Sequence, residues 1–203
     1  MRFAAASFAL VLQAAGWATG QVWTSLGPSQ TTAYGGATGR VSAIACSPTN
    51  ANIYFVAGAD GGVWKSVNAG TSWTPLTDQM PTTAMGALLI DTSNENIIYA
   101  GTGEAAFANH SRPGEGIYRS LDGGATWQQF GAAEFGGRCI STMVMDATAS
   151  PRIYAAVTRA GGFPGPVAAK GHLGANGSRG VWMSANQGAV SYTHLTLPTN
   201  REV

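Results

Sequence analysis

From about residue 40 onwards the chain alternates short apolar runs with clusters of Gly, Asn, Asp and Ser, a pattern that predicts strands and tight turns rather than helices. Val41-Ser42-Ala43-Ile44-Ala45, Ala87-Leu88-Leu89-Ile90 and Ile140-Ser141-Thr142-Met143-Val144 are apolar on both faces, as expected of strands packed between neighbours. A second run follows each: Ile53-Tyr54-Phe55-Val56, Ile97-Ile98-Tyr99-Ala100 and Arg152-Ile153-Tyr154-Ala155. Aligning on Tyr54, Tyr99 and Tyr154 brings the first runs into register. The third run is one pattern written three times: Gly62-Val63-Trp64-Lys65-Ser66, Gly116-Ile117-Tyr118-Arg119-Ser120 and Gly180-Val181-Trp182-Met183-Ser184. A fourth, Trp73-Thr74-Pro75-Leu76 and Trp127-Gln128-Gln129-Phe130, reads as an outer edge, where Pro75 is tolerated because an edge strand can spare an N–H.

The third and fourth runs are joined by one turn. Ser120-Leu121-Asp122-Gly123-Gly124-Ala125-Thr126-Trp127 is its fullest copy, with Ser66-Val67-Asn68-Ala69-Gly70-Thr71-Ser72-Trp73 before it and Ser184-Ala185-Asn186-Gln187-Gly188 after. Asp or Asn at the third place caps its own turn, Gly at the fifth takes a backbone angle other residues resist, and Trp anchors the next strand. The units repeat at spacings of 54 residues (Ser66 to Ser120) and 64 residues (Ser120 to Ser184). That periodicity predicts an all-β fold, a β-propeller of four-stranded antiparallel blades with strands A to D running outward. About three blades are present and the ring is incomplete, since a blade needs neighbours on both sides. Gln21-Val22-Trp23-Thr24-Ser25-Leu26 matches a lone strand D, suggesting that the N-terminus completes the last blade of the ring.

The ends carry different signals. Arg2, the apolar run Phe3 to Ala15 and the small residues Ala18-Thr19-Gly20 read as an export signal over residues 1–20, and no later segment is apolar for long enough to span a membrane. Residues 21–189 then form the N-terminal part of the propeller. After Gly188 the repeat stops: Val190-Ser191-Tyr192-Thr193-His194-Leu195-Thr196-Leu197-Pro198-Thr199 resembles the in-frame translation of a sequencing-library adapter, so residues 190–203 are expected to be a non-native tail. Only 10% of residues are charged and the net charge is +1, which leaves no electrostatic footprint for nucleic acid and no polybasic patch for a membrane surface. Cys46 and Cys139 fall at opposite ends of strand A in non-adjacent blades, too far apart for a disulfide, and are expected to be two buried free thiols.

The pattern Ser-x-Asp/Asn-x-Gly-x-Thr/Ser-Trp resembles the Asp-box, or BNR, repeat over nearly all of Gln21 to Gly188. That family includes sialidases, xyloglucan-degrading glycoside hydrolases, sortilin-type receptors and exported bacterial propellers. The resemblance implies that Ser66, Asn68, Gly70, Trp73, Ser120, Asp122, Gly124, Trp127, Ser184, Asn186 and Gly188 are hairpin residues rather than catalysts.

Function is therefore sought on the other face. Strands alternate in direction, so the C–D turns share a face with the A–B connections, and the B–C and D–A connections share the opposite one. The B–C connections Thr102 to Glu115 and Thr158 to Arg179 are the long ones, and long loops on a rigid scaffold commonly carry function. Glycoside hydrolysis wants two carboxyl groups flanking a sugar bond, which makes Glu104, Glu115 and Asp60 the catalytic candidates. His110, Arg112, Arg138 and Arg179 are the ligand-binding candidates. The xyloglucan-degrading relatives place an Asp two residues before the Gly-Gly that opens strand C, a position held here by Ala59 with Asp60 one residue on. Asp91 and Asp146 read as caps of the A–B turns, and Asn109-His110-Ser111 and Asn176-Gly177-Ser178 as glycosylation sequons. No cluster has metal-ligand spacing, and no cofactor is expected. Two classes of function remain open: a secreted glycan-active propeller, or a non-catalytic propeller that binds a polysaccharide or an extracellular protein. An open ring is expected to be inactive in hydrolysis.

Overall fold

In the computed structural model, which describes residues 39–106, 112–146, 152–159 and 179–188 and the backbone of Tyr192–Leu195, the apolar runs become strands of three antiparallel sheets. The first is β1 (Val41–Cys46), β2 (Tyr54–Gly58), β3 (Gly62–Ser66) and β4 (Thr74–Pro75). The second is β5 (Met85–Asp91), β6 (Asn94–Thr102), β7 (Ile117–Ser120) and β8 (Gln128–Phe130). The third is β9 (Arg138–Met145), β10 (Ile153–Arg159), β11 (Gly180–Ser184) and β12 (Tyr192–Leu195). In each sheet sequence order is spatial order, the meander of a propeller blade. Packed face to face, the sheets form three consecutive blades of an all-β propeller whose ring is incomplete among the described residues. The signal region 1–20, the strand expected at 21–26, His110, both sequons and the loop residues Lys170 and His172 lie outside the described residues. No described helix is long and apolar enough to cross a membrane.

The core lies between blades. Phe55, Ala57 and Val63 of blade 1 meet Leu88, Ile90, Ile98 and Ala100 of blade 2, and Tyr99 and Ile117 meet Ile153, Ala155 and Trp182 of blade 3. Burying a side chain of the Val, Ile or Phe kind contributes about 1.5–3 kcal/mol, so these seams carry the apolar stabilisation of the sheets. A single-turn helix, α1 (Ala132–Phe135), sits in the connection from blade 2 to blade 3 and had no signal in the strand pattern. It delivers Phe135 edge-on to Trp182, with ring centroids 5.1 Å apart.

Three expectations need correction. The ladders set Phe55 opposite Lys65, Tyr99 opposite Arg119 and Tyr154 opposite Met183, so Phe55, not Tyr54, is the counterpart of Tyr99. Side chains alternate with period two, and the one-residue slip puts Phe55 into the seam and Tyr54 on the other face. Second, β1 is not covered on both faces: Val41 and Ile44 are exposed, because that face points to a blade absent from the described residues. Third, both cysteines are free, but only Cys139 is buried; Cys46 is exposed on the same uncovered face as Ile44.

The two seams repeat the same polar contacts. Lys65 Nζ donates to the Gly123 carbonyl at 3.2 Å, and Arg119 Nη1 donates to the Gln187 carbonyl at 2.9 Å. Donors and acceptors occupy identical places in the repeat. Each cation also lies over a ring, Lys65 over Phe55 at 5.2 Å and Arg119 over Phe130 at 4.7 Å. Leu76 of blade 1 fills the space beside Gly124, where a Cβ would come within 2.4 Å of Leu76 Cδ1, so that glycine is required by packing as well as by its φ of 96°. Met183 breaks the cation pattern in blade 3. Tyr192–Leu195 pairs with β11 in the place of a fourth strand; an edge position needs only backbone groups, so the pairing is silent on the origin of that segment.

Candidate functional site

The repeated turns are closed hydrogen-bond units. Ser120 Oγ accepts from Gly124 N–H at 2.8 Å and donates to Asp122 Oδ1 at 2.7 Å; Ser66 and Ser184 do the same with Gly70 and Asn68 at 2.9 and 3.0 Å, and with Gly188 and Asn186 at 2.8 and 3.0 Å. All three serines are buried. Asp122 also accepts from Thr126 N–H at 2.8 Å and from Thr126 Oγ1 at 2.6 Å. One residue further on, Ala69 N–H reaches the Asn52 carbonyl and Gly123 N–H the Asn96 carbonyl, tying the C–D turns of blades 1 and 2 to the A–B hairpins on the same face. The A–B connection of blade 2 is itself capped by Asp91, which accepts from Ser93 N–H at 2.8 Å, and Arg152 reaches Asp146 across that of blade 3 at 3.8 Å.

Asp122 titrates far from the usual carboxylate range. The Thr126 hydroxyl, then the Thr126 N–H and the Ser120 hydroxyl, hold its pKa down to about 2. A depressed folded-state pKa contributes stability that is fully present above the unfolded value near 3.8 and is lost as pH falls toward 2. The Asp122→Asn variant is therefore expected to lose less stability than the parent between pH 4 and pH 2. Thermal unfolding across that range checks it, and equal slopes for the two proteins would count against it.

The opposite face gathers charge from blades 1 and 2. Asp60 sits in the β2–β3 turn, and Arg112 in the loop between β6 and β7 donates from Nε to Asp60 Oδ2 at 2.8 Å. Thr83 Oγ1 lies 3.3 Å from Asp60 Oδ1. Glu104, in the same loop as Arg112, is 3% exposed and is gripped by Arg40 Nη2 from the start of β1. Both ion pairs thus cross the seam between blades 1 and 2. The loop is pinned from the blade 3 side as well: Gly114 N–H donates to the Arg138 carbonyl, Gly137 N–H to the Gly114 carbonyl, and the buried Cys139 thiol to the Glu104 carbonyl at 3.3 Å. A Cβ at Gly114 would lie 2.4 Å from the Thr102 carbonyl carbon, so the loop closes only with glycine there.

Geometry separates the candidate carboxylates. Glu104 contacts the inner strands, through Arg40 and Cys139. Glu115 is exposed and belongs to the outer side of blade 2: its N–H donates to Thr102 Oγ1 at 2.7 Å, and its carbonyl accepts from Gln129 Nε2 of β8 at 2.7 Å. Its charge helps raise the hydroxyl pKa of Tyr118, after the larger effect of burial. Among the described contacts, none joins Glu104 to Glu115, and Asp60 is engaged by Arg112. Arg138 reaches the site through its carbonyl, and Arg179 stands exposed just before β11. The residue absent from the candidate set is Arg40. Strand direction is the signal that could have found it, since the residue preceding a strand A opens on the B–C face. Among the described residues no group of three or more His, Cys, Asp and Glu side chains could hold a metal ion.

No family model matches the chain, and no curated protein does. Solved structures do. An ancestral GH74 enzyme is 21% identical over 85% of this chain with a TM-score of 0.56, and the Niastella koreensis GH74 enzyme is 23% identical over 77% with a TM-score of 0.52. The chain spans only 19% and 21% of the length of those two proteins. At such identities the likeness concerns the fold: three blades of a propeller of the kind that glycoside-hydrolase-like proteins use.

Proposed function

We propose that the chain is part of an exported Asp-box propeller that engages carbohydrate on the face opposite its repeated turns, and that these three blades contribute binding rather than hydrolysis. The observation that carries this reading is the Arg112–Asp60 pair. Its side chains are 66% and 49% exposed, yet held in place by a loop pinned between two blades. A guanidinium and a carboxylate fixed side by side present donors and acceptors to sugar hydroxyls with little ordering cost on binding. Hydrolysis has less support here. Glu104 is buried and committed to Arg40, and Glu115 faces outward, so neither is placed to share a glycosidic bond with the other. The signal at residues 1–20 supports export, and the fold shared with GH74 enzymes together with the repeat supports a polysaccharide as the ligand.

Affinity electrophoresis in gels containing xyloglucan, other β-glucans or sialosides tests it. Retention by at least one polysaccharide is expected, and Arg112→Ala is expected to weaken it about tenfold, the equivalent of one charge-assisted hydrogen bond. Retention by none of the panel would remove the carbohydrate reading. Cleavage of any of these glycans by the 203-residue chain would overturn the restriction to binding.

A further inference from the structure

Two aspartates of the chain are each followed by glycine: Asp60-Gly61 in the loop-face turn of blade 1, and Asp122-Gly123 in the C–D turn of blade 2. Asp78, Asp91 and Asp146 precede Gln, Thr and Ala, whose side chains crowd the next amide nitrogen. Glycine leaves that nitrogen open to an intramolecular reaction. The glycine nitrogen attacks the aspartate Cγ, the amide proton and the carboxyl hydroxyl leave as water, and a succinimide ring closes. Water then opens the ring at either carbonyl. Opening at Cγ restores aspartate; opening at the α-carbonyl leaves the chain running through Cβ and Cγ, as isoaspartate. The reaction needs a free amide and a carboxyl able to take up a proton.

The two sites differ in both respects. In the C–D turn, Gly123 N–H is held by the Asn96 carbonyl at 2.9 Å. Asp122 accepts from the Ser120 hydroxyl, the Thr126 N–H and the Thr126 hydroxyl at 2.7, 2.8 and 2.6 Å. Those bonds hold its pKa down to about 2, so the protonated carboxyl is scarce. In the loop-face turn, Asp60 and Gly61 are both exposed, and the Gly61 N–H donates to none of the described residues. The Asp60 carboxylate meets Arg112 Nε at 2.8 Å and, more loosely, Thr83 Oγ1 at 3.3 Å. An ion pair as exposed as Arg112–Asp60 opens transiently at little cost.

We propose that Asp60 is a site of spontaneous isoaspartate formation, and that the closed hydrogen bonding of the C–D turn protects Asp122 from the same reaction. Isomerisation hangs the carboxylate directly on Cα and adds one atom to the main chain of the turn, which withdraws the carboxylate from Arg112. The modification does not depend on carbohydrate binding.

Ageing of the purified chain at neutral pH and physiological temperature, folded and in guanidinium chloride, tests it. The tryptic peptides 41–65 and 120–138 hold one aspartate each, so electron-transfer fragmentation reads the two sites separately. In the folded chain, isoaspartate at residue 60 is expected to exceed that at 122 by about tenfold, the equivalent of the one hydrogen bond on the Gly123 amide. In the unfolded chain the two sites are expected to react alike. Gly61→Ala is expected to bring residue 60 down to the level of residue 122. It should fold as the parent does, because a Cβ at Gly61 would meet Gly58 Cα at an ordinary 3.7 Å. Equal isoaspartate at the two sites of the folded chain overturns the proposal, whether both have reacted or neither has. So does a larger amount at 122, and so does a Gly61→Ala protein that isomerises at residue 60 as fast as the parent.

Discussion

Replacing Ser120 with Ala is expected to destabilise the protein by about 1–3 kcal/mol, the cost of a buried donor left without a partner. The Ser120 hydroxyl is the hub of its turn. It accepts from Gly124 N–H at 2.8 Å and Asp122 N–H at 3.3 Å and donates to Asp122 Oδ1 at 2.7 Å. The residue is 1% exposed, so water cannot take over these bonds. The damage should reach beyond one hairpin, because Gly123 in the same turn receives Lys65 and Gly124 receives Leu76 from blade 1. For a chain of this size each kcal/mol lowers Tm by about 2–4 °C. Asp122→Asn at neutral pH is expected to be far milder, since Asn68 and Asn186 already fill that place in the other two blades. Differential scanning calorimetry of the two variants checks both statements. A Ser120→Ala protein as stable as the parent would show that the hydroxyl is not the hub.

Arg40→Ala is expected to cost about 3 kcal/mol, the lower end of the range for breaking a buried ion pair, because the arginine is partly in water. The two partners are unequally placed: Arg40 is 45% exposed and Glu104 is 3% exposed. Removing the arginine strands a carboxylate in the seam between blades. Removing the charge of Glu104 releases a guanidinium that solvent can reach, so Glu104→Gln is expected to cost about 1 kcal/mol. Urea unfolding of the two variants checks the asymmetry. Equal losses would mean that the pair is solvated and that Glu104 is not committed to holding the loop.

Much of the blade architecture was legible because it is written redundantly. Three copies of the Gly-Val-Trp-Lys-Ser pattern and of its turn locate strand C and the C–D hairpin even where one copy is degenerate, and the strand order followed from them. The position of Tyr54 was misread for a simple reason. Aromatic residues at 54 and 55 both suit a strand, and only the ladder decides which of two adjacent side chains enters the seam. The short helix Ala132–Phe135 left no periodic signal, because four residues cannot display one. The exposure of Ile44 and Cys46 was hidden because a period-two pattern states which residues face a neighbour, not whether the neighbour is there.

Strand direction puts the B–C and D–A connections on one face, but it says nothing of the pairing within that face. Nothing in the spacing of Arg40 and Glu104, or of Asp60 and Arg112, announces contact across 64 or 52 residues of chain. Those contacts exist because two blades pack side by side and bring the start of one strand A beside the next blade's B–C loop. The repeat, by contrast, drew attention to Ser120–Trp127, whose polar atoms are spent on their own hairpin.

The division of labour between the two faces is tested most directly by hydrogen–deuterium exchange of the chain with and without a polysaccharide that retains it. Added protection is predicted in residues 58–62 and 102–116, which carry Asp60, Glu104, Arg112 and Glu115, with the turns at 66–73 and 120–127 unchanged. Protection confined to those turns, with the loops unaffected, would place the ligand on the opposite face and contradict the reading.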